Sequence, residues 1–165
     1  MPDGKHRPGP GRMGLEEREE AVNINWTKAA VAGVVGTAVM TLVGLYVAPM
    51  MGIPKMNPAV MLAGAMGGNM ALGWTGHLMI GVILAGIYAL VAAKLPGPAW
   101  GRGALYGLAP WLAAEIVVIP MMGMPLFSGS AALAMGSLIG HLVYGGVVGA
   151  IYGLPARRGA LAPAV

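Results

Sequence analysis

The sequence predicts an all-α membrane protein, with four transmembrane helices built as two tandem parallel two-helix repeats. Three observations carry that prediction. The 165-residue chain is 57% hydrophobic and only 10% charged, with a mean hydropathy of +0.72. A soluble domain of this size cannot bury so much apolar surface, so part of it must face lipid. The apolar residues also gather into four stretches, each close to the ~20 residues that cross a bilayer core at ~1.5 Å rise per residue. Finally, the second half of the chain repeats the first.

Residues 1–27 mix Pro, Gly and charge, ending in the acidic cluster Glu16, Glu17, Glu19 and Glu20 around Arg18. They read as a disordered cytoplasmic tail with one short surface helix before Trp26. The first apolar stretch begins only near Ala29, too far along for the core of a cleaved signal peptide, so it is expected to stay as an anchor. The spans are read at about 29–48, 70–93, 103–120 and 131–154. The third is the shortest and holds Pro110, where a kink is expected, together with the carboxylate Glu115. The repeats then cover 28–94 and 95–157, and 158–165 form a second cytoplasmic tail.

Basic residues orient these spans. Lys5, Arg7, Arg12, Arg18 and Lys28 precede the first, Lys94 and Arg102 lie between the second and third, and Arg157 and Arg158 follow the fourth. Lys55 alone falls on the other side. By the positive-inside rule both termini and the middle loop face the cytoplasm. The net charge of +4 and pI near 9.7 are explained by this arrangement, and no nucleic-acid partner is expected.

The repeat is visible without gaps. Residues 76–90, GHLMIGVILAGIYAL, share Gly-His-Leu, the next Gly, Ile-Tyr and the final Leu with residues 140–154, GHLVYGGVVGAIYGL. Upstream, PMMGIP at 49–54 answers PMMGMP at 120–125, and Gly36 answers Gly107 at the same offset. Because each hairpin returns to its starting side, the copies are parallel about an axis along the membrane normal. His77, Gly81, Ala85 and Tyr88 fall on one helix face, as do His141, Gly145, Gly149 and Tyr152. Small residues spaced in this way let helix backbones approach closely, so both faces are expected to be packed. Gly103, Gly107, Trp111 and Glu115 make a comparable stripe on span three, and Ala32, Gly36, Met40 and Gly44 on span one.

The pattern carried by Gly140, His141, Tyr144, Gly145, Gly149, Ala150, Tyr152 and Gly153 resembles small uncharacterised four-helix membrane proteins of bacteria and archaea. The resemblance covers mainly the fourth span and, more faintly, the second. It implies kinship and brings no activity with it; the bilayer itself is expected to be the bacterial inner (cytoplasmic) membrane.

Counted from the basic flanks, His77 lies ~25 Å, His141 ~24 Å and Glu115 ~20 Å toward the outside. All three are thus expected at one level of the outer leaflet, where an ionisable group costs on the order of 2.5–3.5 kcal/mol and marks a candidate site. Four readings compete. The groups can simply hydrogen-bond and hold helices together; His77 and His141 can ligate haem b as an axial pair; His77, His141 and Glu115 can form a metal site; or Glu115 and the histidines can pass protons. The absence of cysteine removes thiolate sites. The 14 methionines are a separate oddity. Nine of them (Met50, Met51, Met56, Met61, Met66, Met70, Met121, Met122 and Met124) sit in or beside the two outer connections, either as adaptable packing or as soft ligands for copper. Those connections read as re-entrant or interfacial segments. Asn57 and Asn69 read as local turn or cap residues, and Trp26, Tyr46, Trp74 and Trp100 as interfacial anchors.

No nucleophile–base pair, phosphate loop or HExxH motif is present, so an enzyme is not expected. The leading expectation is a non-catalytic membrane subunit that packs against larger membrane partners or itself, in a respiratory or other electron-transfer complex. A haem- or copper-binding protein is the runner-up and a small transporter or proton conductor the third. The topology is directly testable: reporters fused after Val165 and within residues 96–101 should report cytoplasm, and one near Lys55 the outside. Termini on opposite sides would end the four-span reading.

Overall fold

The computed structural model describes residues 24–153. Residues 1–23 of the tail expected at 1–27, with its short surface helix, and the tail expected at 158–165 lie outside the described residues. Four helices are long and apolar enough to cross a membrane: α1 (Trp26–Met50), α3 (Met70–Lys94), α4 (Ala99–Met121) and α5 (Ala131–Tyr152). A short helix, α2 (Pro58–Ala65), lies between the first two. The chain is therefore an all-helical multi-pass membrane protein.

Two helix starts differ from the sequence reading, each for a local reason. Helix α1 already begins at Trp26, because the Asn25 side chain accepts the Lys28 N–H at 2.8 Å and caps the first turn. Trp26 and Thr27 thus belong to the span and not to the tail. Helix α4 begins at Ala99, four residues before the expected start. Pro98 supplies the extended entry, and Arg102 folds back within the first turn to donate to Gly97 O at 2.7 Å and Ala92 O at 3.2 Å. A guanidinium tied to carbonyls at the end of α3 does not interrupt a span. Asn57 and Asn69 cap α2 and α3 through their side chains, as their sequence context suggests.

Helices α1 and α4 share a feature that hydrophobic periodicity does not reveal. Each widens into a π-helical turn, at Val43–Val47 and Ala114–Val118, where Ala48 N–H bonds Val43 O and Ile119 N–H bonds Ala114 O. The residues that follow, Pro49 and Pro120, have no N–H to give. Both helices then end in the same way. Gly52 and Gly123 take the left-handed conformation, at φ 77° and 81°, and the next residue bonds back to Ala48 O or Ile119 O. That Schellman closure needs a residue without a Cβ penalty, which accounts for the glycine of the PMMG motif. The two π turns stand at the offset of the PMMG motifs.

The spans form a ring in the order α3, α1, α5, α4. Three seams are close and the fourth, between α3 and α4, is not. Glycine decides this. A Cβ on Gly33 would come within 2.8 Å of Gly81 O, and one on Gly36 within 3.0 Å of the Tyr144 ring. Across α4 and α5, Gly103 and Gly145 each face the other's carbonyl with no room for a Cβ, and Gly149 faces Ala99 O in the same way. In lipid such contact, and not water exclusion, drives association. The centre is correspondingly built of alanines and of Tyr88, Tyr106, Tyr144 and Tyr152, while the large aliphatics face outward.

Gly145→Ala should therefore push α4 from α5 and cost about 1–3 kcal/mol, the usual range for overpacking. Gly64→Ala on α2, where a Cβ meets nothing within 4 Å, should be neutral or slightly stabilising. Thermal unfolding in detergent reads both; equal melting temperatures for the two variants would contradict the close seam.

Candidate functional site

Where α3 and α4 part, the bundle holds a cavity of about 270 Å³, in the half away from the termini. All four spans line it, and Met56, Pro58, Met61, Leu62, Met122 and Ser128 from α2 and the far connections lie over it. His77, Glu115 and His141 all face this one space, on three different helices. The three groups singled out in the sequence thus line one space.

The three groups do not bond one another. His77, only 7% exposed, lies 3.1 Å through Nε2 from Thr41 Oγ1, whose hydroxyl hydrogen goes to Thr37 O at 2.8 Å. The imidazole is therefore the donor in that pair, and its Nδ1 is the bare nitrogen. His141 bonds through Nδ1 to the Ser137 carbonyl at 2.8 Å; a carbonyl can only accept, so Nδ1 carries the hydrogen and Nε2 is bare. Glu115, 1% exposed, accepts at Oε2 from Ser128 Oγ at 3.0 Å. Among the described residues no three His, Cys, Asp or Glu side chains are grouped as ligands of one ion, so the two-imidazole, one-carboxylate set is not assembled. Each group has taken a neighbouring hydroxyl or carbonyl instead, because in hydrocarbon a polar atom must find its partner inside the protein. Between the two histidine helices, Tyr144 donates to Gly81 O at 2.5 Å, one turn toward the termini from both rings. A porphyrin held by His77 and His141 would have to share that space.

Glu115 is held by unusual backbone on both sides. It sits in the π turn of α4, a feature frequent at functional sites. Its donor Ser128 and the preceding Phe127 both adopt left-handed backbone, at φ 58° and 53°, although neither is glycine. Such residues cost of order 1–3 kcal/mol each and persist only where the surroundings over-determine them. Here the Phe127 ring lies 6.0 Å from Trp111, whose Nε1–H is fixed to Ala134 O at 3.2 Å.

At the terminal end, tyrosines close what the backbones leave open. Tyr106 donates to Leu84 O at 2.8 Å and Tyr88 to Ala99 O at 3.3 Å, and Tyr88 meets Tyr106 and Tyr152 edge to face. The α3/α4 seam is thus pinned at one end and parted at the other. The expected packed faces are present: His77, Gly81, Ala85 and Tyr88 are all buried, as are Gly145, Gly149 and Tyr152, while His141 is half-buried. Trp26, Tyr46, Trp74 and Trp100 are exposed near helix ends, as anchors would be.

Sequence reasoning missed the partners. Thr37 and Thr41 had a signal, two hydroxyls four residues apart inside a span, one helix face apart by a single turn. Ser128, Ser137 and Tyr106 had none, since their roles depend on which helix stands opposite.

No curated protein and no solved structure matches this chain. A family model does match, over residues 24–161, which takes in every described span. The chain belongs to the family of unknown function DUF6789.

Proposed function

We propose that this protein is a non-catalytic subunit of the bacterial inner membrane that docks on a larger membrane partner through its methionine-rich end. One observation carries the reading. Helices α1 and α4 run 25 and 23 residues, ~37 and ~35 Å long, against a hydrocarbon core of ~30 Å. With Trp26 and Trp100 anchored at the terminal interface, the last turns of both helices project past the core on the other side. Those turns carry Met50, Met51 and Met121, which are 87%, 59% and 81% exposed. Flexible thioethers gathered at headgroup level, with Lys55 as the one charge of the connection, suit an adaptable protein contact better than water.

The cavity groups support the non-catalytic part of the reading. His77 donates to a threonine whose own hydrogen goes to Thr37 O, His141 turns to a backbone carbonyl, and Glu115 meets Ser128 with no third group orienting the carboxyl, so the arrangement of nucleophile, base and orienting group is incomplete at each. With the basic residues facing the cytoplasm, the methionine end faces outward, and the expected host is a respiratory or other electron-transfer complex.

Purification of the full chain from membranes in mild detergent should bring larger subunits with it. The double variant Met50→Ser, Met121→Ser should lose them while keeping its own melting temperature. Migration of the wild-type chain alone, or unchanged association in the variant, would overturn the docking reading. A Soret band or stoichiometric copper in the same sample, lost in both His77→Leu and His141→Leu, would replace it with haem or copper binding.

A further inference from the structure

We infer that the cavity is a binding site entered sideways from the bilayer, for the head of a membrane-dissolved molecule bearing a neutral hydrogen-bond donor such as an alcohol or a phenol. The position of the mouth comes first. Among the residues that line the cavity, the exposed ones are Ile80, Ala113 and Val118. Ile80 is on α3 and the other two on α4, so all flank the one parted seam, and Ile80 and Val118 are each 42% exposed. The far end is covered by half-buried side chains such as Met56, Met61 and Met122. An entrance on the lipid-facing side with a roof over the aqueous side selects for ligands already dissolved in the membrane.

The chemistry of the head follows from what the cavity offers. Glu115 uses Oε2 for Ser128, and no hydrogen bond falls on Oε1 among the described residues. His141 turns Nδ1 to Ser137 and leaves Nε2 as an acceptor. No Lys or Arg lines the space. Acceptors without a cation repel a phosphate or carboxylate head, and an ammonium would have to bring its charge deep into the bilayer. A hydroxyl meets neither objection. Size decides how much enters: about 270 Å³ lies just under the ~300–1,000 Å³ of sites that enclose a whole small ligand. The head fits inside, and the tail lies along the α3/α4 groove among the lipid chains. This site is independent of the docking end.

The test uses the full chain in lipid nanodiscs with three photoactivatable probes of equal length: a diazirine hexadecanol, the matching alkane and the matching fatty acid. The alcohol should label α3 and α4 around Ile80 and Val118 about tenfold more than the other two, the loss expected when one good hydrogen bond is missing. Ala113→Trp, which fills the rim without entering the core, should bring alcohol labelling down to the alkane level with melting temperature unchanged. Glu115→Met should do the same if it folds. Equal labelling by alkane and alcohol, stronger labelling by the fatty acid, labelling spread over all lipid-facing surfaces, or no effect of Ala113→Trp would each overturn the site.

Discussion

Backbone contact at glycine is the constraint on which the rest of this structure depends. Gly33 against Gly81, and Gly103 and Gly149 on α4 and α5, bring helices to a separation that any side chain would prevent. Lipid offers apolar surface no reason to leave it, so the seams that close are those where small residues let main chains touch. Two seams, α1/α3 and α4/α5, have such contacts, and in the third, α1/α5, Gly36 leaves room for the Tyr144 ring. The fourth, between α3 and α4, is spanned by tyrosines at the terminal end and by nothing comparable beyond it. The cavity follows from an uneven distribution of small residues, not from a device dedicated to opening it.

Hydrogen bonding within the bundle obeys the same medium. Thr37 and Thr41 return their hydroxyl hydrogens to carbonyls one turn back, and Thr41 still has a lone pair for His77. Tyr106 and Tyr144 use helix carbonyls that already hold an intrahelical bond, since a carbonyl has two lone pairs. The π turns belong here as well. Opposite Pro49 the Gly44 carbonyl is free of its helical partner, and Met56 N–H from the connection takes it at 3.1 Å. Glu115 stands at the corresponding place in α4, 71 residues on, so a cavity-facing carboxyl replaces a glycine at an already widened turn. A strained serine in the next connection then meets it.

The methionines divide between two tasks. Met56, Met61 and Met122 cover the cavity, whereas Met50, Met51 and Met121 project from the helix ends. One residue type serves both because an unbranched thioether fills irregular space and adapts to a changing neighbour. The cover of the cavity and the projecting helix ends thus both draw on the connections that the PMMG motifs begin.

The sequence by itself determined the class and the spans. Runs of apolar residues near the thickness of a bilayer core, and stripes such as His77, Gly81, Ala85 and Tyr88, are one-dimensional signals, because span length and helix phase depend only on spacing along the chain. That His77, His141 and Glu115 would fall in the same half of the bundle was legible for the same reason: position along a helix is rise per residue multiplied by count. Helix ends shifted where a cap or a folded-back Arg102 acted, since such bonds depend on local geometry that hydropathy averages away. Only the tertiary structure decided which seams close, that Glu115 answers Ser128 and not a histidine, and that the cavity lies where α3 and α4 part. Those are relations between helices, and spacing within one helix says nothing about which neighbour stands across from it or at what distance.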